Sequence, residues 1–98
     1  MNRPNSVKIG ALTYTVKEDL LTREAGCWGQ CSSALLEIRL EPDMAPAAKD
    51  TIFIHECVEA MNWVYDIGLK HHQIELLESA FFQFIVDNPA IFRDGASE

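Results

Sequence analysis

Apolar and polar positions alternate through the first forty residues and then settle into a helical rhythm, which divides the chain into a strand-forming front and a helical back. Val7-Lys8-Ile9 and Leu12-Thr13-Tyr14-Thr15-Val16 are β-rich and flank Gly10-Ala11, the pattern of a hairpin. Gly26 to Ser32 and Leu35 to Leu40 form a second pair. In the latter, Leu36, Ile38 and Leu40 alternate with Glu37, Arg39 and Glu41, predicting one covered and one wet face. Pro42-Asp43 closes the sheet region, and Pro46 suits the first turn of a helix. That helix is expected from Pro46 to Ile67, with Gly68 as its stop, and a second from His71 to Asp87, ended by Asn88-Pro89. The tail from Ile91 is expected to fray. The predicted fold class is α+β: a small antiparallel β-sheet of three to four strands over about residues 7–41, then two antiparallel helices over about 46–67 and 71–87, in a single domain spanning 1–98.

The first helix carries more than a core-facing stripe. His55, Glu59, Asn62 and Asp66 follow spacings of four, three and four and stack on one face. Ile52, Phe53, Ile54, Val58, Ala60, Met61, Trp63, Val64, Tyr65 and Ile67 surround them, so the stripe reads as polar groups within a mostly buried helix. Such groups cost stability unless they are paired or bind metal.

On the second helix, Ile74, Leu77, Phe81 and Ile85 mark the apolar face, and Glu78 falls in its middle. An unmatched carboxylate there would be desolvated, so a partner is expected. Eighteen residues lie between Glu59 and Glu78, enough to end one helix, turn at Gly68-Leu69-Lys70 and return antiparallel. That path brings Glu78 toward His55 and Glu59, with His71 and His72 at the turn. A divalent ion held by His and carboxylates, with Glu56 one position off the stripe, is a layout for metal-assisted hydrolysis. The plainer alternatives are an ordinary charged cluster, a Glu78 paired with Arg23, Arg39 or Lys70, and surface roles for His71 and His72. Phe81, Phe82 and Phe84 read as core, as do Cys57 and the pair Cys27 and Cys31, although the spacing of that pair also permits a metal.

Composition narrows the function classes. A net charge of −7 argues against nucleic-acid binding, which needs clustered Lys and Arg. No run is apolar enough to span a bilayer, because His55, Glu56 and Glu59 interrupt the richest one. Three cysteines and the absence of a secretion signal in MNRPNSVKIG lead to the expectation of a cytoplasmic protein without a disulfide framework.

Several segments, taken in order, resemble a known family. They are Trp28-Gly29-Gln30-Cys31, Ile38-Arg39-Leu40, the stretch Thr51 to Glu59, the stretch Leu69 to Glu78, and Asp87-Asn88-Pro89. Together they are similar to the small zincin-like metallopeptidases of phages and bacterial mobile elements, related to ImmA/IrrE-type proteins of the gluzincin group. The family's helix motif is H-E-x-x-H, and this chain has His55-Glu56-Cys57-Val58-Glu59. The resemblance implies that His55 is a metal ligand, that Glu56 is the general base, and that Glu78 is the carboxylate ligand on the following helix. Glu59 stands where the second His ligand belongs. Relatives written H-E-x-x-E-A-x-N with L-x-H-H-Q-I imply that His71 supplies the missing imidazole, leaving Glu59 a ligand or a partner of one.

The implied cofactor is a divalent metal, zinc first, with manganese, iron or calcium admitted by a more anionic site. The expected function is a minimal metal-dependent hydrolase acting on a peptide or protein, with substrate added at the sheet edge. The alternative is a catalytically inactive protein of the same fold, with a structural metal or none, that engages a host protein through its acidic surface. Neither nucleic acid nor membrane is an expected partner.

Overall fold

The computed structural model describes residues 2–20, 22 and 26–92. Four strands, β1 (Ser6–Ile9), β2 (Leu12–Glu18), β3 (Gly29–Ser32) and β4 (Glu37–Leu40), precede two helices, α1 (Pro46–Val64) and α2 (His71–Asp87), and a terminal 3-10 turn (Pro89–Phe92). The fold is α+β, as the hydropathy pattern predicts. Gly10 makes the first hairpin with φ of 60°, and Ile9 pairs with Leu12. The expectation for the tail concerns mostly residues 93–98, which lie outside the described residues.

The sheet is mixed rather than antiparallel. Its order is β1-β2-β4-β3, so β4 runs parallel to β2 and only the two hairpins pair antiparallel. Alternation identifies both hairpins without saying which strand of the second one lies inside. Burial decides it: Ile38 and Leu40 are fully buried and make β4 central, whereas every residue of β3 is only half-buried at the edge. On the opposite face Glu37 pairs with Lys17 at 2.7 Å and accepts from Arg39, and these two cations lower its carboxyl from the ordinary value. Glu41, expected to be wet, is fully buried.

Helix α1 lies across the sheet on Phe53, Ile54, Cys57, Val58 and Ala60, which join Ile9, Tyr14, Ile38, Leu40 and Ile74 in the core. Near its start, Lys49 and Asp50 are buried with their charges matched: Lys49 reaches Glu18 at 2.9 Å, and Asp50 takes Arg3. The expectation of a mostly buried helix fails toward its end. Met61, Trp63, Tyr65 and Ile67 are exposed, and in this last stretch Val64 is the side chain that packs against the core. Phe81 and Phe84 are likewise exposed rather than core, while Phe82 packs against it.

The helix stops earlier than Gly68. Asp66 takes the left-handed conformation (φ 51°), Ile67 N–H donates to the Asn62 carbonyl at 3.1 Å, and Asp66 N–H donates to that of Trp63 at 3.3 Å. These two bonds are the Schellman arrangement, with Asp66 in the place usually taken by glycine. Asp66 therefore leaves the polar stripe to end the helix.

Candidate metal centre

The turn between the helices positions the site. The Asn62 side chain accepts from Leu69 N–H at 2.8 Å and donates to the Leu69 carbonyl at 3.2 Å. Gln73 then accepts from Lys70 N–H at 2.8 Å, capping α2 so that it begins at His71. Clamped in this way, the chain returns beside α1 with His71 facing His55. Their rings stand 5.5 Å apart at 64°.

His55 is the hub. Its Nδ1 lies 2.8 Å from Glu78 Oε2, and its Nε2 lies 3.8 Å from Glu59 Oε2. Glu78 thus finds its partner in His55, while Arg39 is taken by Glu37 and Asp19; Arg23 lies outside the described residues. Donor atoms of His55, Glu59 and His71 all fall within 4.8 Å of one another, a group that could hold a metal ion. His72 is exposed and does not join it.

The donor set fits a cation. Two ligands about 2.1 Å from a tetrahedral ion lie about 3.4 Å apart, so the three groups need to contract by at most about 1.4 Å. Two imidazoles and one carboxylate suit zinc, and a carboxylate on the other nitrogen of a ligating imidazole orients the ring and raises its basicity. The cluster has a closed and an open side. His55 and Glu78 side chains are largely covered, whereas His71 is 69% exposed and reaches Glu75 at 3.6 Å.

Glu56 lies beside this group, one position along α1 from His55, and packs under the edge strand at Gly29. It is only 6% exposed, and burial, reinforced by the charges of Glu59 and Glu78, raises its carboxyl to about 7. Gly29 of β3 makes room for it. A Cβ at Gly29 would stand 2.9 Å from Glu56 Oε2 and 2.4 Å from Ile52 Cγ2. In the sequence Gly29 stands out only as part of the Trp28-Gly29-Gln30-Cys31 segment. A glycine inside a strand is the available signal, since it marks close approach of another group to the backbone.

The three cysteines stand outside this group. Burial, helped by Glu56 and Glu59, pushes the Cys31 thiol up to about 11. Burial, with Cys31 and Glu56 adding, takes Cys57 to about 12. Both stay protonated at neutral pH and act as small packing residues, as expected. Cys27 precedes β3 rather than lying on it.

Compared with protein-family models, with curated proteins and with solved structures, the chain finds no match. No helix among the described residues is long and apolar enough to cross a membrane.

Proposed function

We propose that this protein is a minimal metal-dependent hydrolase acting on peptide bonds, of the zincin-like kind its motifs resemble. The observation that carries the reading is the convergence of His55, Glu59 and His71 behind a Glu78–His55 hydrogen bond. Relative to the family pattern, the second imidazole and the carboxylate have exchanged helices. Glu59 supplies the oxygen from α1 and His71 the nitrogen from α2, so a two-His, one-Glu donor set is kept. That set favours zinc over the oxygen-rich sites that suit calcium or manganese.

When bound, the cation supplies Lewis-acid polarisation of a carbonyl and acidifies water. The protein's residues do the rest. Glu78 fixes the His55 ring and leaves Nε2 toward Glu59. Glu56 would take a proton from the attacking water and return it to the leaving amine. The sheet edge at β3 shields that carboxylate from bulk water.

Metal analysis of protein purified without added metal, paired with a peptide-hydrolysis assay, tests the reading. One ion per chain is expected, with hydrolysis abolished and the ion retained in Glu56→Gln. A tightly held ion without hydrolysis in the parent protein would assign a structural site instead, and no affinity for zinc would overturn the metal centre itself.

A further inference from the structure

The α1 face that carries the candidate metal centre continues toward the start of the helix as an apolar cavity. Ala48, Ile52, His55, Glu56 and Glu59 are separated by four, three, one and three residues, so they form one strip along α1. At its beginning, a cavity of about 520 Å³ opens between the helix, the loop before it and the residue preceding β3. Met44, Ala45, Ala48 and Ile52 line it together with Asp43, Thr51 and Trp28, the last 60% exposed.

We propose that this cavity is a substrate subsite that selects a bulky apolar side chain (Phe, Leu or Met) of an extended peptide. The inference rests on the hydrolase reading above and deepens it. Three observations support it. First, the cavity and the proposed base share a wall: the same face of Gly29 abuts Ile52, which lines the cavity, and the Glu56 carboxylate. Second, the lining is mainly apolar, with Asp43 and Thr51 as its polar members. Thr51 donates its hydroxyl to the Ala47 carbonyl at 3.1 Å, so its hydrogen is already committed within the helix. Third, the dimensions agree. The volume lies within the range of about 300–1,000 Å³ common to small-ligand pockets. At about 1.5 Å per helical residue, Ile52 and Ala48 lie about 6 and 12 Å before Glu56 along the axis, which an extended peptide covers in about two to four residues.

The selected side chain therefore sits at a fixed remove from the cleaved bond, and the subsite contributes discrimination rather than chemistry. An apolar pocket of this kind distinguishes a large side chain from alanine by about tenfold or more.

Digestion of a randomised peptide mixture by the zinc-loaded full chain, read by mass spectrometry, tests the assignment. Phe, Leu and Met are expected to be enriched about tenfold at one position two to four residues from the cut. Ala48→Phe, at an exposed position on the cavity wall, should erase that enrichment, whereas Ala47→Phe, one residue outside the cavity, should leave both the enrichment and overall cleavage within about twofold. Cleavage without positional preference, or a preference surviving Ala48→Phe, would overturn the subsite.

Absence of any cleavage would sink the hydrolase reading, and a binding measurement then judges the cavity separately. In Trp63→Phe, Trp28 is the sole tryptophan. A saturable shift of its emission with N-acetyl-phenylalaninamide but not N-acetyl-alaninamide, lost on adding Ala48→Phe, supports the cavity as a binding site. No saturable shift overturns it.

Discussion

Glu78 holds His55 by the Nδ1 edge of its ring, 2.8 Å away and largely covered from solvent, so the two helices meet through a carboxylate–imidazole bond at the candidate metal centre. Glu78 therefore acts on the ion through His55. Glu78→Gln should weaken zinc affinity by about 10- to 100-fold, the usual effect of removing such a partner. Titration calorimetry on this variant and on His55→Ala makes the comparison. Equal losses in the two would place Glu78 among the direct ligands.

The two adjacent histidines at the start of α2 separate cleanly. His71 offers a nitrogen to the group formed with His55 and Glu59, and His72 does not. His71→Ala should lower zinc affinity by more than about a hundredfold, beyond the range of outer partners, while His72→Ala stays within about twofold. Similar affinities in both variants would remove His71 from the site.

How much of this was legible in the sequence follows from which interactions are local. Both hairpins, both helices and the meeting of His55, Glu59, Glu78 and His71 come from short-range periodicity and loop length. The strand order does not, because the inside position of β4 depends on Ile38 and Leu40 meeting α1 and β2 at once. Asn62 shows the same limit. Helical spacing placed it on the polar stripe with His55, yet its side chain turns to the Leu69 backbone and builds the corner that delivers His71. A carboxamide on a helix face carries no mark of which backbone it will bind.

Stability should depend on pH through Glu56. Its folded value of about 7 lies above the ordinary carboxyl value of 4.5, mainly through burial, so between these values the folded state holds a proton that the unfolded chain releases. Its contribution is fully present below about 4.5, is lost as pH rises toward 7, and is level beyond; the gap corresponds to about 3 kcal/mol. Urea unfolding of the metal-free protein at pH 5 and pH 8 measures the loss. Glu56→Gln, which carries no charge at either pH, should remove most of the difference, and an unchanged pH dependence in that variant would locate the titration elsewhere.

Gly29 couples packing to chemistry, and the two can be separated. A Cβ at this position meets Ile52 Cγ2 at 2.4 Å and Glu56 Oε2 at 2.9 Å. The first contact is with a branched side chain packed against the core, and the second with the movable end of a carboxylate. Gly29→Ala should destabilise the fold by about 1–3 kcal/mol through overpacking. Ile52→Ala removes Cγ2, so the double variant should be more stable than the sum of the single losses, by a coupling of about 0.5–3 kcal/mol. Hydrolysis should not recover with it, because the added methyl still displaces the Glu56 carboxylate. Recovery of activity together with stability would mean that Gly29 serves packing alone.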